Sequence, residues 1–217
     1  MPTLVWDAVG EKVYETGVDH GVLYTPDATG AYNSGVVWNG LVTVTESPSG
    51  AEPQPQYADN IKYINLVSVE EFGGTIEAFT WPDEFGICDG TASPSAGVIL
   101  GQQTRATFGL SYRTRIGNDV DGDSHGYKIH VVYGCLATPT EKAYATVNDS
   151  PEAATFSWEF TTTPVAVTGY KDVSLITIDS TKISANGLAA VEEALYGGTG
   201  DASLPMPDAL LALAATA

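Results

Sequence analysis

A chain of 217 residues is long enough to bury one sizeable core without dividing into domains. Its 27 acidic residues against 9 basic ones leave a formal charge of −18, which excludes tight binding to a phosphate backbone, because that grip needs Lys and Arg to displace counterions. A hydrophobic fraction of 43% excludes a disordered chain as the starting assumption.

The N-terminal "MPTLVWDAVGEKV" has neither a basic start nor an apolar run, so no secretory signal is expected and the chain reads as soluble and made in a cytoplasm. Strand signals follow at "KVYE", "GVLY", "GVVW" and "LVTVT". Residues 45–60, "TESPSGAEPQPQYADN", then break the pattern as a long Pro-rich irregular loop, a kind of segment that is more often functional than idle. "IKYINLV" and "GTIEAFT" resume the strands, with Glu70 and Glu71 between them as a solvated helical turn. In "WPDEFG", Asp83 and Glu84 are adjacent, and adjacent carboxylates rarely face one glycosidic bond from opposite sides; the stretch reads as a turn anchored by Trp81 and Phe85.

"TFGLSYR" places Phe108, Leu110 and Tyr112 on one face, and "YKIHVVY" does the same for Tyr127, Ile129, Val131 and Tyr133, as half-buried antiparallel strands require. Between them, "NDVDGDSHG" has the Asp119, Asp121 and Asp123 spacing of a calcium loop. Counted from Asp119, however, the sixth and twelfth positions hold Ser124 and His130 rather than Gly and Glu. It reads as a hairpin turn, with a looser calcium site shared with another loop left open. "KAYATV", "TFSWEF" and "VSLITI" are further strands, and "NDSP" is a turn. "NGLAAVEEALYGG" is a helix with Leu188, Val191 and Leu195 on one stripe, Asn186 as N-cap and Gly197 as stop. A flexible link, "GGTGDASLPMP", leads to a short helix "PDALLALA" that begins at Pro207.

No GxSxG, P-loop, HExxH or GxGxxG motif is present, so no catalytic, cofactor or metal residues are assigned and the chain does not read as an enzyme. His20, His125 and His130 are scattered and read as surface residues. Cys88 and Cys135 fit no zinc or redox spacing and read as small buried hydrophobes, with a single disulfide as the lesser reading. Arg105, Arg113 and Arg115 share one strand phase, with Lys128 nearby. That face is either solvated, with local ion pairs, or a subunit contact where Arg forks meet acids of another copy.

The order and extent of several stretches carry a resemblance: "GVVWNGLVTVTESPSGAEPQPQYADNIKYINLVS", "GGTIEAFTWPDEFGICDG", "FGLSYRT", "YKIHVVYG" and "NDSPEAATFSWEFTTTPV". Together they closely resemble the major tail tube protein of long-tailed, non-contractile bacteriophages, especially those of actinobacteria. The likeness runs from the N-terminal strands to about residue 180, and the helix and tail at about 184–217 are in keeping with it. It implies a mainly β fold, a tail-tube β-sandwich or barrel with a flanking α-helix and a short C-terminal helical tail. The whole of 1–217 would be a single domain, without the C-terminal immunoglobulin-like domain some members add. The implied function is structural: six-membered rings stack around a tape measure protein into a virion tube, meeting tail-tip and tail terminator proteins, and DNA passes through the lumen without specific binding. The excess of acid suits such a conduit, since a lumen that repels phosphate lets DNA slide. No membrane partner and no cofactor are implied. The long loop, with Ser47, Pro48, Ser49, Glu52, Pro53, Gln54, Pro55, Gln56 and Tyr57, is the expected ring-to-ring contact. A calcium-dependent β-sandwich adhesin or carbohydrate-binding module shares the strands, aromatics and acidic loops, and is the alternative.

Overall fold

The computed structural model describes residues 3–146, 149 and 153–216. Most of the expected strands form, and several run together. The end of "KVYE" and all of "GVLY" belong to one strand, β1 (Tyr14–Thr25). β2 (Ser34–Trp38), β3 (Leu41–Glu46), β4 (Ser49–Gly50), β5 (Pro53–Ala58), β6 (Ile61–Val67), β7 (Glu70–Glu71) and β8 (Gly73–Ala78) follow. A 3-10 turn at Asp83–Ile87 leads to β9 (Ala92–Ser95) and β10 (Val98–Leu100). The chain ends with β11 (Phe108–Asn118), β12 (Gly122–Ala137), β13 (Phe156–Thr162), β14 (Leu175–Asp179), α1 (Ala185–Tyr196) and α2 (Pro207–Ala214).

Eight strands make one antiparallel sheet in the order β2-β1-β11-β12-β13-β8-β3, with β14 added beside β12. The long strand β12 changes neighbour part-way along. Lys128 to Val132 pair with β14, whereas Cys135 to Ala137 pair with β13. Gly134 stands at the changeover with φ 60, and a Cβ there would fall 2.4 Å from the Thr163 carbonyl oxygen. Only glycine fits this bend at no steric cost. The sheet rolls until β3 at one end faces β1 near the other: Gly21 of β1 is packed so close to Leu41 of β3 that a Cβ would lie 2.4 Å from that side chain.

Alternation along the strands separates two cores. One face gathers Trp38, Ile76, Phe108, Leu110, Tyr112, Trp158 and Phe160 inside the roll, with Phe85 of the 3-10 turn plugged among them. The Phe85 ring lies 4.6 Å from Trp38 and 5.4 Å from both Phe108 and Trp158. The opposite face gathers Val22, Tyr24, Ile129, Val131 and Tyr133 beneath Val191 and Leu195 of α1 and Leu210 of α2. Tyr24 and Tyr133 fasten this layer by donating to the carbonyls of Leu195 and Pro205 at 2.7 and 2.8 Å. β11 and β12 are thus covered on both sides rather than half-buried, and Ser111 and His130 are buried as well.

Several expectations are corrected. The N-cap of α1 is Ser184, whose Oγ accepts from Gly187 N–H at 3.0 Å, so the helix begins before Asn186; Gly197 ends it with φ 81. Part of the supposed flexible link is docked: Leu204 is buried and bridges Tyr32, and Gly35 N–H donates to the Ala202 carbonyl. Glu70 and Glu71 form a strand pairing with β4, not a helical turn. Residues 142–146 form no strand, and "NDSP" lies outside the described residues except for Asp149. No helix among the described residues is long and apolar enough to cross a membrane.

Candidate assembly surfaces

The stretch read as an irregular loop is an arm. It leaves the sheet at Glu46, the last residue of β3, and returns at Gly73, the first of β8. Ser47 N–H donates to the Gly73 carbonyl at 2.8 Å, and β4 pairs with β7 to close the root. Beyond it β5 and β6 form a hairpin from Pro53↔Val67 to Ala58↔Ile61. Its turn residues Asp59 and Asn60 both have positive φ, 51° and 61°, the geometry of a tight hairpin turn that Asp and Asn tolerate better than other side chains.

The sequence marked β6 as a strand and β5 as loop because Pro53 and Pro55 remove backbone donors. Ser47, Pro48 and Glu52 lie in the root and its connections, Ser49 in β4, and Pro53, Gln54, Pro55, Gln56 and Tyr57 in β5. β6, outside that expectation, supplies most of the arm's exposed apolar surface.

Every residue of β5 and β6 is exposed. Cross-strand partners share a face, so Gln54 with Leu66, Gln56 with Ile64 and Ala58 with Ile61 line one side. Pro53 with Val67, Pro55 with Asn65 and Tyr57 with Lys62 line the other. Tyr57 and Tyr63 are each 71% exposed and Val69 82%. Single exposed apolar residues are ordinary, but a run of this kind on both faces of a two-stranded ribbon is not. A lone hairpin is marginal in water, and this one gains no support from its own core.

The sheet's ends differ. β2 is partly covered on its outer side through Gly35 and Ala202, while β3 terminates the sheet at the other end with no further strand paired beyond it among the described residues.

The three arginines do not gather on one face. Arg113 and Arg115 project together from β11 onto one carboxylate. Arg113 Nε donates to Asp19 Oδ1 at 2.8 Å and Arg115 Nε to Asp19 Oδ2 at 3.0 Å. Two register shifts in β1 around Asp19, with His20 at φ 53, bring that carboxylate to the arginines, and His20 Nδ1 lies 2.8 Å from the same Oδ1. Burial pushes the Asp19 carboxyl up, but hydrogen bonds from Arg113, Arg115 and His20 outweigh it and hold the pKa at about 2. Arg113 also stacks over Tyr127 at 4.5 Å and is largely buried, whereas Arg115 is 53% exposed. Lys128 is paired with Glu15. Arg105 precedes β11 and donates to the Ala137 carbonyl at 3.0 Å, near the buried Asp89 that Lys142 holds at 2.5 Å. Of the three, Arg115 alone keeps the exposure that a subunit contact needs.

His130, read as a surface residue, is the other correction. Its ring stacks on Tyr112 with an interplanar angle of 2°, and Nδ1 lies 3.2 Å from Glu46 Oε1. The Tyr112 hydroxyl donates to the same oxygen at 2.6 Å. The hydrogen bond from His130 holds the Glu46 carboxyl below its ordinary range, against desolvation and aided by Tyr112. This pair anchors the base of the arm across the roll.

The acidic turn is spent on local bonds. Asn118 Oδ1 accepts from Val120 and Asp121 N–H, Asp119 accepts from Gly10 N–H at 3.0 Å, and Asp123 accepts from the Tyr14 hydroxyl at 2.9 Å. No group of three His, Cys, Asp or Glu among the described residues is placed to hold a metal ion. Cys88 and Cys135 are free and buried; burial, with Asp89 beside it, pushes the Cys88 thiol up to about 12, and burial raises Cys135 too.

No family model matches this chain, nor does any curated protein.

Proposed function

We propose that this chain is a structural subunit that polymerises with itself, and that the polymer is the tail tube of a long-tailed, non-contractile bacteriophage. The observation that carries the reading is the arm. Its two strands expose Tyr57, Ile61, Tyr63, Ile64, Leu66 and Val67 on a ribbon whose every residue is exposed. Such a ribbon is stabilised when another molecule buries it. The β3 edge, which pairs with no further strand among the described residues, favours the same conclusion, because an unpaired edge is a template for a strand from a neighbour.

The tube itself is inferred from the resemblance of the strand-forming stretches to tail tube proteins. On that reading six copies close a ring, rings stack through the arm, the tape measure fills the growing tube, and tip and terminator proteins bound it. The tube is then a virion component assembled in the host cytoplasm. The net charge of −18 suits a wall past which DNA slides. Arg115 is the arginine left available for a contact within the ring.

Light scattering across a concentration series tests self-association. The protein is expected to grow into particles of many copies as concentration rises. A mass that stays at one chain throughout contradicts the reading.

A further inference from the structure

The arm continues a pair of strands that belongs to the sheet. β3 and β8 pair as far as Glu46↔Gly74, Ser47 N–H then reaches the Gly73 carbonyl, and β4 pairs with β7. Ala51 N–H donates to Ser68 Oγ at 3.0 Å, and the β5–β6 ladder begins at Pro53↔Val67. The two legs therefore stay joined from root to tip, and the arm is one ribbon rather than two loose connections. With every residue of β5 and β6 exposed, its direction is set at the root. That direction matters because the ribbon is a long lever. From Glu46 to Asp59 an extended chain spans up to about 40 Å, so a swing of about 10° at the root would carry the tip by roughly 7 Å, more than the ~4.8 Å between neighbouring strands.

Both legs are fastened at the root. On the returning leg the Phe72 carbonyl accepts twice from Thr162 of β13, from its N–H at 3.2 Å and from its hydroxyl at 2.7 Å. Gly74 is packed so tightly that a Cβ would lie 2.4 Å from the Thr45 carbonyl oxygen. On the leaving leg Glu46 Oε1 gathers two donors from across the roll, the Tyr112 hydroxyl of β11 at 2.6 Å and His130 Nδ1 of β12 at 3.2 Å. A carboxylate oxygen only accepts, so Nδ1 carries a hydrogen. His130 Nε2 meets the Thr114 hydroxyl at 3.0 Å, and Nδ1 also lies 3.4 Å from the Thr177 hydroxyl of β14. The imidazole is thus held at both nitrogens and by its stacking on Tyr112. Tyr112 and His130 are both buried, so neither is free to turn out to water.

We infer that Tyr112 and His130 aim the arm through Glu46, so that these three are its positioning residues and set where on a second copy the tip arrives. Glu46 is the last residue of β3, and a bond at its carboxylate acts on the angle at which the chain leaves the roll. The inference rests on the proposed self-association and adds the device that readies the arm for it. A ribbon already held in one direction loses less freedom on binding than one that swings.

The test places nitroxides on Tyr63→Cys in the arm and Tyr170→Cys on the body, both exposed positions, and reads the distance between them by pulsed electron resonance on dilute single chains. Cys88 and Cys135 are fully buried and stay unlabelled. One narrow distance is expected in this background. Adding Glu46→Ala or Tyr112→Phe should broaden it in chains that are still folded, whereas Glu46→Gln, whose amide oxygen accepts the same two bonds, should restore it. In sedimentation without labels, Glu46→Ala should need about tenfold more protein to assemble, since ordering the arm then falls to the binding step. A broad distance before Glu46 is touched, or a narrow one in both Glu46→Ala and Tyr112→Phe, overturns the inference. Broad distances with unchanged assembly overturn the link between aim and contact. A wild type that never sediments overturns the self-association reading and leaves the distances to decide the anchor.

Discussion

Asp19 answers to two guanidinium groups and a histidine at once, so its replacement is informative. Its folded pKa of about 2 lies below the ordinary 3.8, which means that the charged form is favoured by folding. The stabilisation is therefore fully present above pH 4 and is lost as pH falls from about 4 to about 2. Asp19→Asn is expected to lower stability at pH 7 by about 1 kcal/mol, allowing for solvent screening at a partly exposed pair. Urea melts at pH 7 and pH 2 check this, and the gap between variant and wild type should close at the lower pH. Arg113, being largely buried against Tyr127 and Asp19, should destabilise the single chain when cut to Ala, whereas Arg115→Ala should leave the melt nearly unchanged. The thiols make a second prediction at this scale. Cys88 and Cys135 are fully buried with raised pKa values, so a thiol reagent at pH 8 should label neither until denaturant is added. Rapid labelling of the native protein would contradict the packing around them.

At the scale of elements, the arm and the rolled sheet should come apart experimentally. Replacing residues 51–69 with an Asn-Gly turn joins Gly50 to Glu70, which already pair, and removes a ribbon that contributes nothing to either core. The melting temperature should hardly change while self-association is lost; a truncated chain that assembles normally would show that the arm is not the contact. Gly134→Ala tests the bend in β12. With φ 60 and the Thr163 oxygen 2.4 Å from the new Cβ, it should cost roughly 2 kcal/mol or more, read from denaturant melts. The elements also show what the sequence could and could not disclose. The faces of β11, β12 and β13 were legible because a two-residue period survives in Phe108, Leu110, Tyr112 and in Phe156, Trp158, Phe160. The arm was half legible, since Ile61 to Val67 is strand-like while the prolines of β5 mask its partner. β9 was not legible, because "ASPS" has no apolar alternation and is a strand only through pairing with β10. His130 was misread because period two predicts which face a residue takes, not whether a second layer covers that face. That cover comes from β3, far away in sequence, through Glu46.

At the scale of the whole molecule, charge opposes what the surfaces promote. Every added copy brings another −18 to the assembly, so repulsion grows with size. Mobile ions screen it over a Debye length of about 8 Å at physiological ionic strength, while apolar contact through the hairpins is left intact. Raising salt from low to moderate should therefore increase the sedimenting fraction of the wild type, and a decrease would mean that ion pairs rather than apolar hairpins hold the copies together. The central claim is that this chain builds a tube from itself, and negative-stain electron microscopy of the concentrated protein at moderate salt tests it most directly. Hollow rings or stacked tubes of uniform width are predicted for the intact chain and not for the chain lacking 51–69. A field of single small particles from the intact chain, at every concentration and salt, would contradict the account.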